Sequence, residues 1–211
     1  MDQPKRNEHN RDKILQTGMQ LFARKGYHGT GLKEVLNACQ VPKGSFYNYF
    51  DSKEQFAIDV LEYQYQQDDK KWERWDAMTS GDSLTRFRAS LQLFIEDYEQ
   101  DPNTSGCLLT NLMGEIGNAS DSFRQIIDSS CNRVIDHIEK HFYDAQLEGS
   151  FRQDFSARAL AQLFWDSWQG ALLRTKVEAS TQPLVDVADM LCSLFAPPIT
   201  PTIKDRSNHE A

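Results

Sequence analysis

The cysteine at position 107 has the surroundings that best suit covalent chemistry. Cys107 follows Ser105-Gly106 and begins the apolar segment 107–116, which is predicted to be a short helix. The N–H groups at a helix start stabilise negative charge and so lower the pKa of a thiol, and the thiolate is the reactive form. Such a cysteine can add to an electrophile or be oxidised to a sulfenic acid. From its position alone, a small buried apolar cysteine, the usual role of a free thiol, is the commoner case.

Other reactive or ligating side chains give weaker patterns. Cys39, Cys131 and Cys192 fall on or beside apolar stripes, where core packing is the simpler interpretation. His137 and His141 stand four apart, which suits a metal, but no third ligand accompanies them. We therefore predict no metal and no cofactor. Four tryptophans are candidates either for lining an inducer pocket or for filling the core, namely Trp72, Trp75, Trp165 and Trp168.

Polar side chains between residues 30 and 56 are suited to contact nucleic acid. Lysine, serine and tyrosine donate to phosphate oxygens, and an asparagine amide can read a base edge. A cation such as Lys53 in the first turn of a predicted helix is unfavourable, unless an anion such as a phosphate lies opposite. We predict phosphate contacts from Thr30, Lys43, Tyr47 and Lys53. Contacts at or near the bases are predicted for Ser45, Asn48 and Tyr49, with Gly44 in the same site.

Two short helices joined by a tight turn would position these side chains. Thr30 is a predicted N-cap, and apolar residues recur at helical spacing over residues 32–39. Pro42 fixes its own φ and suits the first turn of a new helix, predicted over residues 42–50. Cys39-Gln40-Val41 is left as a three-residue turn, which is typical of a helix-turn-helix.

The flanking residues fit the same arrangement. Phe46 and Phe50 are four apart and are expected to pack beneath the polar face. Ser52 and Gln55 form a predicted capping box that opens the following helix. From the residues alone, an ordinary helical hairpin with a solvated polar face remains the alternative.

The segment VPKGSFYNYFDSKEQF, at residues 41–56, resembles the signature of the TetR family of transcriptional regulators. The resemblance extends back through ILQTGMQLFARKGYHGTGLKEV and covers about a quarter of the chain. It implies an all-helical homodimer. Its N-terminal domains would bind a palindromic operator in double-stranded DNA, and its C-terminal domains would hold an inducer.

The later segments SGCLLTNLMGEIG and FWDSWQGALLRTKVE look like those of electrophile- and oxidant-sensing repressors within this family. By that resemblance Cys107 is the sensing thiol and Lys176 is an amine partner close to it. A nearby ammonium favours a thiolate, and nitrogen can attack an oxidised sulfur. From its position alone, Lys176 is a solvated cation near a helix C-terminus.

The chain is predicted to be all α, with about nine helices and no strand. The first helix is expected from Asn10 to Lys25, with Gly26 as its stop. We predict a disordered or basic arm at residues 1–9 and a helix-turn-helix DNA-binding domain at 10–56. A ligand-sensing and dimerisation domain would follow at 57–196, and a disordered tail at 197–211.

Charge is unevenly distributed along the 211 residues. Residues 1–56 carry nine Lys and Arg against six Asp and Glu, a net charge of +3, while the chain as a whole carries −8. A basic N-terminal quarter on an acidic body fits a local nucleic-acid surface. No apolar leader segment and no apolar run of membrane-spanning length occurs, so a cytoplasmic protein with reduced thiols and no membrane partner is expected.

The last two predicted helices carry an excess of apolar surface, and we place the homodimer interface there. The final helix shows a coiled-coil-like seam of Leu184, Val187, Leu191 and Leu194. Two helices from each subunit would form a four-helix bundle. A dimer would also place two reading helices in successive major grooves of a palindrome.

Together these patterns predict a homodimeric repressor that leaves its operator when an electrophile or oxidant modifies Cys107. One alternative is a repressor of the same type induced by a non-covalently bound apolar small molecule. A helical thiol enzyme using Cys107 and Lys176 is disfavoured, because no histidine is signalled as a base and the DNA-binding signature would be unexplained.

Overall fold

The computed structural model describes residues 3–101, 108–117 and 121–198, apart from the side chains of residues 3–9, 43, 45 and 122. Within these ranges the chain is all α, as predicted, with nine helices and no strand. In chain order they are α1 (Gln3–Gly29), α2 (Leu32–Cys39), α3 (Lys43–Phe46), α4 (Lys53–Met78), α5 (Ser83–Gln100), α6 (Leu108–Ile116), α7 (Asp121–Glu148), α8 (Ala157–Glu178) and α9 (Gln182–Phe195).

The N-terminal helices pack around a cluster of phenylalanines. Phe56 of α4 lies 5.6 Å from Phe22 of α1, 5.3 Å from Phe46 and 4.9 Å from Phe50, measured between ring centroids. All four rings are buried. Helix α1 approaches α4 so closely at Gly18 that an added Cβ would lie 2.2 Å from Cζ of Phe56. Glycine is therefore needed there for packing.

Helix α1 is longer than predicted at both ends. It begins at Gln3 instead of Asn10, so residues 3–9, expected as a disordered or basic arm, are helical. Pro4 stands in its first turn, where the missing N–H costs nothing. At the other end Gly26 adopts φ 72°, ψ 177° and kinks the helix, which then continues to Gly29. Gly26 therefore redirects the helix where a stop was predicted.

The C-terminal helices surround a second aromatic cluster, which belongs to the same continuous hydrophobic core. Phe87 of α5 lies 5.3 Å from Phe142 of α7 and 5.2 Å from Phe164 of α8, between ring centroids. Phe195 closes this core from α9. Ser156 is the N-cap of α8, since its side chain accepts from the N–H of Ala159.

Helix α6 lies between the two aromatic clusters and contributes to the same core. It packs on α1 and α7, and the backbone N–H of His28 donates to the Glu115 carboxylate at 3.3 Å. Tyr27 also reaches α7, where its ring meets Phe123 edge-on at 5.6 Å. In the part of the chain that the structure describes, no helix is long and apolar enough to span a bilayer.

Candidate nucleic-acid interface and sensing site

The turn between α2 and α3 lies one residue later than predicted. Cys39 is the last residue of α2 and is buried, as expected for a core cysteine. Gln40 then adopts the left-handed conformation at φ 56° and ψ 36°, and the N–H of Val41 donates to the Leu36 carbonyl. The turn is therefore Gln40–Pro42, because a left-handed residue ends the helix and proline cannot donate to continue it.

Past the turn, α3 presents a small polar and aromatic surface. Phe46 and Phe50 are buried, as predicted, but the helix ends at Phe46 and residues 47–49 form a turn. Tyr47 is 57% exposed. Gly44 and Asn48 are exposed as well, and Tyr49 is half-buried, whereas the side chains of Lys43 and Ser45 lie outside the described part.

Thr30 is not the N-cap of α2, contrary to the prediction. Gly31 is the N-cap of α2, and Thr30 is only 1% exposed. Its hydroxyl donates to the Gly26 carbonyl at 2.8 Å and lies 3.2 Å from the Leu21 carbonyl oxygen. The kink at Gly26 leaves carbonyls of α1 needing donors, and Thr30 supplies one. Its hydroxyl is therefore unavailable to a phosphate.

Lys53 is also engaged within the protein. Its ammonium donates to the Tyr27 carbonyl at 2.6 Å and lies 4.3 Å from the centre of the Tyr27 ring. Burial lowers the pKa of Lys53, and the negative charge of Glu115 opposes that shift. A cation in the first turn of α4 is thus explained by partners inside the chain, where the sequence had suggested a phosphate.

Of the predicted sensing pair, Cys107 and Lys176, the structure describes only Lys176. Cys107 lies outside the described residues, but it directly precedes Leu108, the first residue of α6. Lys176 of α8 donates to the side-chain oxygen of Asn111 in α6 at 2.8 Å. Lys176 thus contacts the helix that Cys107 precedes.

Glu115 and Asn111 were missed by sequence reasoning. Glu115 is the one charged residue of the otherwise uncharged α6. That isolation is the sequence feature that could have singled it out. Its partner His28 lies 87 positions away along the chain, so no local pattern identifies the contact. Asn111 and Glu115 stand four apart, one helical turn, and connect α6 to α8 and to α1 respectively.

Two of the four tryptophans line a cleft. Trp72 and Trp75 face it with Phe94, Asp68, Lys71 and Asp97. Trp168 stands behind Phe94, at 5.3 Å between ring centroids. Trp165 is buried in the core, and neither Trp165 nor Trp168 lines the cleft.

The histidine pair forms a contact without a metal-binding set. The Nε2 atoms of His137 and His141 are 3.2 Å apart, and Asp69 lies 3.6 Å from His137. Burial lowers the pKa of His141, and His137 lowers it further. Among the described residues no group of three or more histidine, cysteine and acidic side chains is arranged to hold a metal.

The remaining cysteines differ in their surroundings. Cys192 is buried, and burial raises the pKa of its thiol. A higher pKa leaves less thiolate at neutral pH, which makes Cys192 less reactive. Cys131 is half-buried on α7, with its Sγ 3.5 Å from Sδ of Met113.

Comparison with known proteins identifies the family. The profile described as "Bacterial regulatory proteins, tetR family" matches residues 14–60. The profile described as "Tetracyclin repressor-like, C-terminal domain" matches residues 83–191, just over half of the chain. The chain belongs to the TetR family. As a TetR-family protein it is a DNA-binding transcriptional repressor and not an enzyme.

Several relatives match this TetR-family chain over most of its length. It is 30% identical to the transcriptional repressor DhaR of Mycobacterium sp. strain GP1 over 94% of this chain and 96% of the relative. It is 30% identical to the transcriptional repressor NemR of Escherichia coli K12 over 92% and 98%. The transcriptional regulator AcuR of Cereibacter sphaeroides is 33% identical over 81% and 78%.

Solved structures agree with this assignment. The reduced form of E. coli NemR superimposes with a TM-score of 0.80 at 30% identity, covering 91% of this TetR-family chain and all of NemR. A TetR regulatory protein from Rhodobacter sphaeroides gives 0.79 at 30% identity, covering 87% and 97%. Regulators of this family bind operator DNA as dimers and respond to small molecules.

Proposed function

We propose that this repressor binds a palindromic operator as a homodimer and is released when an electrophile or oxidant modifies Cys107. The similarity to NemR, whose structure is named as a reduced form, supports a redox-linked response. At 30% identity the chemistry has to be argued from this chain's own residues.

The contact between Lys176 and Asn111 carries the proposal. Asn111 lies four positions after Cys107, in the first turns of α6, and Lys176 reaches it from α8 at 2.8 Å. An ammonium group near a thiol favours the thiolate, as does a helix N-terminus. With a maleimide, the thiolate adds to the carbon–carbon double bond, a sulfur–carbon bond forms, and the adjacent carbon takes up a proton.

The DNA-reading surface that we propose is the exposed side of α3 and the turn after it. Tyr47 would donate its hydroxyl to a phosphate, and Asn48 would reach a base edge. The exposed Gly44 would let the DNA backbone approach closely. Lys43, Ser45 and Tyr49 complete the predicted set. Thr30 and Lys53 support this surface from within.

The homodimer would form through the outer faces of α8 and α9. Leu184 and Leu191 of the predicted seam are buried within the subunit, so they pack internally. Helices α8 and α9 nevertheless expose other apolar side chains, which suits burial against a second copy of the chain. These are Leu163, Leu173 and Val177 of α8, and Met190 and Leu194 of α9.

A second candidate is induction by a small molecule bound without a covalent bond. The cleft beside Trp72 and Trp75 favours it, because aromatic side chains with a few polar groups commonly line ligand sites. In that case Cys107 would not be needed for release.

Operator binding under reducing and modifying conditions tests the proposal. An operator would first be selected from random duplex DNA by repeated rounds of binding. Affinity would then be measured at fixed salt, with and without N-ethylmaleimide or a mild oxidant, because phosphate contacts make it depend on salt. The wild type and a Cys131→Ser control should be released, whereas Cys107→Ser should stay bound. Equal release of all three would contradict a role for Cys107.

A further inference from the structure

The kink at Gly26 is held in place by hydrogen bonds to its carbonyl groups. Gly26 and the four residues after it form the kink segment, residues 26–30, which leads directly to the N-cap of α2. The Thr30 hydroxyl donates to the Gly26 carbonyl at 2.8 Å, and the Lys53 ammonium donates to the Tyr27 carbonyl at 2.6 Å. Both carbonyl groups are thus paired at the point where the regular helical pattern is interrupted.

Glu115 of α6 supplies an acceptor for the same segment. Its carboxylate accepts the backbone N–H of His28 at 3.3 Å. It also lies directly against Gly26, because a Cβ built there would be 2.6 Å from Cδ of Glu115 and closer still to Oε1. Gly26 has φ 72°, a conformation that glycine adopts far more readily than other residues. A side chain at this position is therefore excluded twice, by the backbone conformation and by the Glu115 carboxylate.

The negative charge of Glu115 is placed beside a cation as well as a backbone donor. Burial lowers the pKa of Lys53, and the charge of Glu115 opposes that shift, so the two side chains are close enough to interact. A hydrogen bond to an ionised acceptor is roughly twice as strong as one between neutral groups. An uncharged acceptor at position 115 should therefore hold the kink segment less firmly.

The conformation of the kink segment determines where α2 begins. Gly31, the N-cap of α2, follows the segment directly, and α2 packs on both α1 and α3. A change of the kink would therefore move α2 and α3 together relative to α1. In a dimer both copies of α3 must meet successive major grooves, so a small rotation in each subunit displaces both reading elements from the DNA.

We propose that the Glu115 carboxylate is a positioning group for operator binding, which holds the kink segment in the conformation that places α2 and α3 on DNA. Glu115 itself would not touch the operator. The inference rests on the proposed operator binding, but it needs neither a reactive Cys107 nor a bound small molecule.

The operator affinities of Glu115→Ala and Glu115→Gln provide the test, measured with reduced protein at fixed salt on the selected operator. Glu115→Ala should bind about tenfold more weakly than wild type, because a smaller fraction of the protein holds the binding-competent orientation. Glu115→Gln keeps an acceptor oxygen without the charge, so its loss should be intermediate, about threefold. Glu73→Gln, at an exposed glutamate of α4, is the matched control and should bind like wild type.

Two measurements without DNA separate positioning from general stability. Glu115 is exposed, so urea denaturation should give nearly the same midpoint for wild type and for both variants. The backbone N–H of His28 should exchange with solvent about tenfold faster in Glu115→Ala than in wild type, measured by NMR. A loss of operator affinity that is matched by an equal loss of stability would indicate a merely structural role and overturn the inference.

Gly26→Ala tests the contact itself. In wild type the new Cβ meets both an unfavourable φ and the Glu115 carboxylate, whereas in Glu115→Ala only the unfavourable φ remains. Gly26→Ala should therefore lower operator affinity more in the wild-type background than in Glu115→Ala. Gly114→Ala, beside Glu115 and with open space around its Cβ, should lower it in neither.

Two further results would overturn the inference. One is an equal effect of Gly26→Ala in both backgrounds, and the other is wild-type operator affinity of folded Glu115→Ala protein. Either result would leave the Cys107 proposal standing, since wild-type protein would still bind the operator and could still be released by a thiol reagent. Failure of wild-type protein to bind any selected DNA would instead contradict the proposed function itself.

Discussion

The two halves of α4 are held in place by different means. Phe56, Ala57 and Val60 in its first half are fully buried, and Phe56 packs against the rings of Phe22 in α1 and Phe46 in α3. One ion pair, Asp59–Arg11, adds to this packing. Its second half is tied to α5 by the ion pairs Lys71–Asp97 and Asp76–Arg86, and by the contacts of Trp72 and Trp75 with Phe94. Towards α7, Asp69 lies 3.6 Å from His137.

The difference matters because close packing and exposed ion pairs have different energetic costs. A buried aromatic cluster tolerates little displacement, so the first half should move with the DNA-binding helices as one body. Exposed ion pairs each contribute little and can rearrange cheaply. The second half of α4 is therefore the part that should shift at the smaller energetic cost.

Replacing Phe56 with alanine should give the largest effect. The buried ring contacts Phe22, Phe46 and Phe50, so its loss should lower the free energy of unfolding by about 3–5 kcal/mol, measured by urea denaturation. Tyr47→Ala, at a 57% exposed position, is the control and should change stability by less than about 0.5 kcal/mol. Similar losses for both would mean that the rings are not closely packed.

Gly18→Ala should disturb the same packing to a smaller extent. The added Cβ would meet Phe56 at 2.2 Å, so a loss of about 1–3 kcal/mol is expected in the same denaturation assay. Gly114→Ala in α6 is the matched control, since open space surrounds the Cβ position there. That control should be neutral or slightly stabilising. A neutral Gly18→Ala would show that α1 and α4 can separate freely.

Asp68→Asn tests the second half of α4 through pH. The pKa of Asp68 is about 7 when folded, above its ordinary value of 3.8, so wild-type stability should fall as the pH rises between these values. The variant lacks the ionisable carboxyl, so its stability should not fall in this way. Above pH 7 its free energy of unfolding should exceed that of wild type by about 1–2 kcal/mol, allowing for partial exposure. Thermal denaturation across this range measures it, with exposed Asp128→Asn as control. A gain that does not vary with pH would contradict the assignment.

Of the contacts tested here, the ion pair between Glu62 and Arg133 should contribute least to the stability of the fold. Its atoms are 2.7 Å apart, but both side chains are more than 40% exposed. A double-mutant cycle with Glu62→Gln and Arg133→Met should give a coupling energy of about 0.2–1 kcal/mol, smaller at high salt. A coupling above about 2 kcal/mol would show that exposed ion pairs on α4 contribute more than the contrast with its buried rings assumes.

Local spacing predicted much of the fold. Phe46 and Phe50 were correctly placed inside because two aromatic residues four apart share a helix face. Ser52 was correctly predicted as an N-cap, since its partner is the N–H of Gln55 three residues on. The Gln55 side chain, however, donates to Asp59, so only half of the capping box forms.

The errors arose where contacts with another helix decide the outcome. Thr30 has the chemistry of an N-cap, but the kinked end of α1 offers carbonyl oxygens that compete for its hydroxyl. The periodicity of Leu184 and Leu191 fits an internal neighbour as well as a second subunit, and the internal helices bury both. Spacing also could not pair Lys176 with Asn111, 65 positions apart.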